Sequence, residues 1–227
     1  MNRRKRIAIY GGTFDPVHLG HLEVARKVCE LFEIDQLQFV PAMLAPHKLT
    51  AEVTAAIHRY AMLVLATQED PRLCISTFEI EAEDRRYTVD TLSNFKARFG
   101  ENVDLFFVMG ADSWSEIRTW RQWEQLLGMV NHIVVTRSGS DIDLDIVTAE
   151  LRTHIADLRG SSEHSKLFSE SEGTKIFITD AVQFDVSATE IRRAVREEKL
   201  DQLEKLVPFP VAQYIKKYEL YKESNET

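Results

Sequence analysis

Hydrophobic and polar positions along the chain change period repeatedly. Short runs of β-branched and aromatic residues, "RIAIY" from Arg6 and "LQFVP" from Leu37, give way to stretches in which apolar residues recur every three or four positions. Leu22, Ala25, Val28, Cys29 and Phe32 mark one face of a helix, and "EVTAAIHRYAMLVLATQ" supplies another. Next, "LCISTFEI" predicts a strand, "TVDTLSNFKARF" a helix, "VDLFFVMG" a strand, "WRQWEQLL" a helix and "HIVVT" a strand. Later, "KIFITD" predicts a strand and "SATEIRRAVREE" a helix. Parallel strands need a crossover, usually a helix, so this alternation predicts an α/β fold: a Rossmann-like, doubly wound parallel sheet with helices on both faces.

One segment departs from the pattern. Asp157 to Lys175, "DLRGSSEHSKLFSESEGTK", is rich in Ser, Glu and Gly and has little periodicity, which predicts a surface loop or insertion. With no internal repeat and no second hydrophobic core, residues 1–227 are expected to form a single domain with a helical C-terminal part.

Ligands of such sheets bind beyond the carboxyl ends of the strands. That rule brings together Gly11 to His21, Pro41 to Lys48, Gly110 to Trp114, and Arg137. The composition, 44% hydrophobic and 28% charged, is that of an ordinary soluble globular protein. A net charge of -8 disfavours nucleic acid as a partner but leaves room for a local basic site that holds a small phosphorylated ligand. The apolar run Ile7 to Tyr10 is too short for a secretory segment, and no run approaches the ~20 residues of a membrane span. A cytoplasmic protein with no membrane partner is expected. Cys29 and Cys74 form no metal or disulfide pattern and suit buried thiols in a reducing compartment.

The chemistry concentrates in "GGTFDPVHLGH", Gly11 to His21, where a strand ends and a helix begins. A dinucleotide fingerprint fails, because G-x-G-x-x-G is absent and no acidic residue closes the second strand. A P-loop fails for want of G-K-[ST], and zinc for want of further ligands at recognisable spacing. What remains is an anion site: glycines that let backbone approach a ligand, free amides at a helix start, and two imidazoles able to donate to phosphate oxygens.

This stretch resembles the H-x-G-H signature of the nucleotidyltransferases and, with T-F-D-P before it, is similar to the bacterial nicotinate mononucleotide adenylyltransferases. "PAMLAPHK", "RRYTVDTL", "MGADSW", "TWRQWEQLL", "VVTRSG", "VSATEIRRAV" and "LVPFPVAQYIKKYELY" follow in that family's order. The resemblance implies transfer of the adenylyl group of ATP to nicotinate mononucleotide, with Mg2+ carried by ATP. It implies that His18, His21, Lys48 and Arg192 act on phosphate, and that Gly11, Gly12, Thr13, Phe14, Asp112 and Ser187 also contact ATP. The nicotinate nucleotide would meet Thr13, Lys48, Thr88, Trp120 and Arg137.

Plainer readings stand beside several of these. Ser187 and Glu190 also form a capping box, Asp112 and Thr88 are good helix caps, Trp120 and Trp123 fit a core, and Lys48 and Arg137 fit a solvated surface. Ala42 and Ala45 replace an Asn and a Pro common in the family, so Ala42 makes no polar side-chain contact. Other nucleotidyltransferases of the superfamily, and a regulatory protein that binds ATP without catalysis, are the competing readings. Preference between nicotinate and nicotinamide has no signature of its own, and oligomeric state has none.

Overall fold

The first apolar run becomes β1 (Lys5–Gly12) at the centre of a parallel sheet in the computed structural model, which describes residues 3–43, 53–82, 86–136, 142–160, 173–182 and 186–222. With β2 (Gln36–Pro41), β3 (Leu73–Ile75), β4 (Val103–Gly110), β5 (Asn131–Val135), β6 (Ile155–Asp157) and β7 (Ile176–Thr179), it forms a seven-stranded sheet. The order is β3-β2-β1-β4-β5-β7-β6, and every pairing is parallel.

Each central strand buries both faces, as a sheet covered on two sides must. Ile7 and Ile9 of β1, with Leu105, Phe107 and Met109 of β4, join the core on one side. Ala8, Phe106, Val108 and Ile133 join the core on the other. The helices α1 (Leu19–Leu31) and α2 (Ala56–Thr67) cover that second side, with α7 (Ala188–Arg196), α8 (Leu200–Leu206) and α9 (Phe209–Lys217) near the end of the chain. The first side is covered by α3 (Thr88–Phe99), α4 (Ala111–Ser115) and α5 (Trp123–Met129). α6 (Ala149–Arg152) precedes the edge strand β6.

Three local departures from the sequence pattern have identifiable causes. "LCISTFEI" forms a strand only as far as Ile75: Ser76 N–H still bonds the Phe39 carbonyl at 2.8 Å, but the next rung of that ladder would need an N–H from Pro41. The chain turns there, and Glu79 accepts a hydrogen bond from Thr91 of α3. "WRQWEQLL" becomes helical only from Trp123, after a 3-10 turn at Ile117–Thr119 and a left-handed Gln122 (φ 53°). Trp120 thus sits on an extended joint between the two. The elements α6 and β6, 4 and 3 residues long, are too short to leave a readable period.

At the expected insertion, Asp157 closes β6 and Leu158 is buried in the core, while 161–172 lie outside the described residues. Cys29 is buried, with its thiol pushed up to about 12 by that burial; Cys74 is only half-buried. Among the described residues, no helix is long and apolar enough to cross a membrane.

Leu22 shows how the site rests on this core. It is 1% exposed and lies one residue past His21 in the first turn of α1. Leu22→Ala should cost about 2–5 kcal/mol of folding stability through lost transfer energy and a residual cavity, measured as a lowered midpoint in urea.

Candidate active site

The loop from β1 to α1 is built on its own aromatic packing. Phe14 adopts a left-handed conformation (φ 50°), which a bulky residue reaches only under constraint. Its buried ring packs edge-on against His21, Phe39 and Tyr10, with centroids 5.0, 5.3 and 5.6 Å away. Gly12 makes this possible, because a Cβ there would lie 2.8 Å from Phe14 Cζ. The second glycine therefore serves the packing of its own loop as well as the approach of a ligand.

Beyond Phe14, and a cis Asp15–Pro16 bond, His18 caps α1. Its Nδ1 accepts the His21 backbone N–H at 3.3 Å, and His21 Nδ1 accepts the His18 backbone N–H at 3.3 Å. This is a capping box made of two imidazoles, whose rings stack with centroids 3.6 Å apart. Burial holds His18 down to about 4, and burial plus the neighbouring His18 holds His21 well below its ordinary value. Both rings are therefore neutral near pH 7. Because each Nδ1 is an acceptor, the single ring proton of each sits on Nε2. The first turn of α1 contains no acidic side chain, so its amides and dipole remain open to an anion.

Two cavities flank this loop. One, of about 360 Å³, is lined by His18, Gly20, His21, Gly110, Asp112, Ser115 and Val186. The other, of about 310 Å³, is lined by Gly11, Gly12, Thr13, Thr88, Trp120 and Glu79 among others, with Arg86 and Arg121 at its wall. α4 stands between them and gives Asp112 to the first and Ser113 to the second.

The structure thus gathers most of the residues singled out from the sequence. Asp112 is not the cap of α4, a position held by Gly110, and its exposed carboxyl lines the first cavity. Thr88 is likewise the first helical residue of α3; the cap is Tyr87, whose N–H bonds Asp90 Oδ2 at 3.2 Å. Trp120 is half-buried, edge-on to Phe107 with centroids 6.2 Å apart, and leaves part of its indole on the second cavity. Trp123 packs half-buried against the core; the fully buried tryptophan is Trp114. Ser187 does cap α7, accepting the Glu190 N–H at 3.2 Å, and Arg192 donates from Nη1 to the Asp15 carbonyl at 2.6 Å. The Phe14 ring lines neither cavity. Lys48 and Arg137 lie outside the described residues.

Sequence reasoning missed Arg59. Its guanidinium, 1% exposed, donates to the carbonyls of Thr13 (2.7 Å), Ala42 (2.6 Å) and Thr54 (2.9 Å), tying the loops after β1 and β2 together. The available signal was an arginine in line with Met62, Leu63 and Ala66 on the apolar face of α2. Glu79 was missed as well. It receives the Thr91 hydroxyl at 2.6 Å, and burial raises it to about 6. No turn residue in that segment announces it.

A cleft at the strand ends, with a histidine-capped helix facing it, defines a nucleotide-binding α/β protein. The cytidylyltransferase-like family model matches residues 9–194. A protein of Thermoanaerobacter sp. (strain X514) named "Probable nicotinate-nucleotide adenylyltransferase" is 38% identical over 226 residues, spanning 100% of this chain and 99% of its own length. One of the same name from Citrifermentans bemidjiense is 36% identical over 217 residues, spanning 95% and 98%. The chain belongs to the nicotinate-nucleotide adenylyltransferases, within the cytidylyltransferase-like family. The fold is shared with Plasmodium falciparum nicotinic acid mononucleotide adenylyltransferase complexed with NaAD, at a TM-score of 0.72 and 22% identity over 96% of this chain and 97% of that one.

The histidine pair sets a pH dependence. His18 titrates at about 4 in the folded protein against about 6.5 when unfolded, so between those values only the unfolded chain takes up the proton. Its contribution to stability is complete above about pH 6.5 and is lost as pH falls toward 4. Glu79 acts in the opposite sense, stabilising most below about pH 4.5 and losing that contribution as pH rises through about 6. In an NMR titration the His18 ring signals should stay in the Nε2–H form down to about pH 5; a midpoint above about 6 would contradict this account.

Proposed function

We propose that the two cavities seat the two reactants on either side of the β1–α1 loop, ATP against His18, His21 and Asp112, and nicotinate mononucleotide against Thr13, Thr88 and Trp120. The chain transfers the adenylyl group of ATP to nicotinate mononucleotide, giving nicotinate adenine dinucleotide and pyrophosphate, a step of NAD synthesis. The observation that carries the reading is the reciprocal histidine cap at the head of α1, which presents two neutral N–H donors where the strand edge opens.

The acceptor's 5'-phosphate attacks the α-phosphorus of ATP in line and pyrophosphate leaves. That phosphate is already largely ionised at neutral pH, so no side chain has to remove a proton. The obstacle is bringing two anions together, and the protein's part is positioning and charge stabilisation. His18 and His21 donate from Nε2 and the α1 amides add their dipoles. Arg192 reaches the same loop and Ser187 caps α7; Lys48 and Arg137 are proposed to supply the remaining cationic contacts, on the resemblance of their motifs. Mg2+ carried by ATP would supply further positive charge at the phosphates; among the described residues no cluster of carboxylates, histidines or cysteines forms a metal site.

Trp120 offers a flat face to the electron-poor nicotinate ring. Two features favour the acid over the amide, the cations Arg86 and Arg121 at the wall, set against the carboxyls of Glu79 and Glu116 that line the same cavity. Because both cavities draw on β1, the edge after β3 and the loops up to α7, the chain works as a single domain. A reaction supplied with ATP and a charged nucleotide belongs in the cytoplasm.

Pyrophosphate release from Mg-ATP, compared with nicotinate and nicotinamide mononucleotide, tests the reading: the acid should react at least about tenfold faster, the scale of one charge-assisted contact. Release with neither acceptor would overturn it. His21→Ala should lower kcat by roughly two to three powers of ten, the scale for one lost transition-state donor. Trp120→Ala should act chiefly through a raised KM for the nicotinate nucleotide, because stacking is present before and during transfer.

A further inference from the structure

A polar cluster that lines neither of the two cavities joins the turn after α9 to the histidine loop. Tyr221 donates its hydroxyl to Asp15 Oδ1 at 2.7 Å, and the Thr54 backbone N–H donates to Asp15 Oδ2 at 3.2 Å. Arg192 Nη1 donates to the Asp15 carbonyl at 2.6 Å. Asp15 itself is 5% exposed. A single buried residue thus collects the C-terminal turn, the segment before α2 and the helix α7, and it lies three positions before His18.

Tyr221 is held in an unusual way. Its backbone is left-handed (φ 67°), a conformation a tyrosine adopts only where surrounding contacts enforce it. Its ring packs on the core beside Leu220, whose N–H bonds the Ile215 carbonyl at 3.1 Å. Burial and the adjacent Asp15 keep the phenol protonated well beyond its ordinary range, so it remains a donor at every working pH.

We propose that Tyr221, acting through Asp15, is a positioning residue for adenylyl transfer: the turn after α9 clamps the loop that carries His18 and His21. The proposal rests on the adenylyl-transfer reading of that site. Neither Tyr221 nor Asp15 lines either of the two cavities described above, so their effect on the reaction passes through the placement of the loop. A donor displaced by about 1 Å costs up to about a hundredfold in rate. Losing one tether of three should cost less, because Thr54 and Arg192 still hold Asp15.

The test uses the full chain and compares wild type with Tyr221→Phe, which deletes one oxygen, and with Tyr218→Phe as a control on a neighbouring exposed tyrosine. For Tyr221→Phe we expect kcat to fall about tenfold with both KM values within about twofold, the mark of an interaction expressed in the transition state. The melting temperature should move by no more than about 4 °C, the shift of a marginal hydrogen bond in a domain of this size. Combining Tyr221→Phe with Asp15→Ala should lower kcat no further than Asp15→Ala alone, because the tyrosine acts through that carboxyl. Should Asp15→Ala fail to fold, the kcat and KM split of Tyr221→Phe decides the matter. A Tyr221→Phe enzyme with wild-type kcat, whatever its melting temperature, would overturn the clamp while leaving the reaction intact. A wild type that releases no pyrophosphate would instead overturn the reading on which the clamp rests.

Discussion

The reversal of winding at β1 and β4 is the constraint from which the rest of the molecule follows. These two strands are hydrogen-bonded neighbours, yet the chain leaves β1 through α1 toward β2 on one side and leaves β4 through α4 and α5 toward β5 on the other. Because all seven strands are parallel, every carboxyl end lies on one edge. The loops diverge there, and a crevice opens without any residue having to be removed to make it. The β1–α1 loop and α4 meet in that crevice, and a cavity lies on either side of them.

Holding that loop in place falls to groups that line neither cavity. Arg59 is an uncommon solution: a buried guanidinium whose hydrogen bonds go to backbone carbonyls at Thr13, Ala42, Met43 and Thr54. Burying a charge is costly, and burial does lower its pKa, with Asp15 first among the charges that offset this. In return its planar donors make four hydrogen bonds to carbonyls from three separate segments, which no apolar side chain could do. Phe14 does the complementary work from below, its ring filling the space that Gly12 leaves and bracing His21.

The histidines show why such support matters. Two stacked neutral imidazoles gain their direction from one another's backbone, and their donors point where they do only while both Nδ1 atoms stay engaged. Protonating either ring would remove an acceptor from the cap and place a charge beside its neighbour. Burial against Phe14 and Tyr10 keeps the pair neutral, so core packing and the chemistry of the site are a single arrangement.

The alternating apolar runs by themselves determined the class of fold, since period two and period 3.6 segments in strict succession admit few architectures, and β1, α1, β2, α2, α3, β4, β5 and β7 lie where that pattern places them. "GGTFDPVHLGH" likewise determined where the two imidazoles sit, at a helix start just beyond a strand, because glycines and a helix cap have local meaning. What the tertiary structure decided was every role that depends on a distant partner. Strand β3 stops where Pro41 of β2 withholds a donor, and Arg59 and Tyr221 take their partners from carbonyls and a carboxyl far away in sequence. Hydrophobic period is a local property and survives in the linear chain; a hydrogen bond between residues 15 and 221 exists only once the sheet has brought them together.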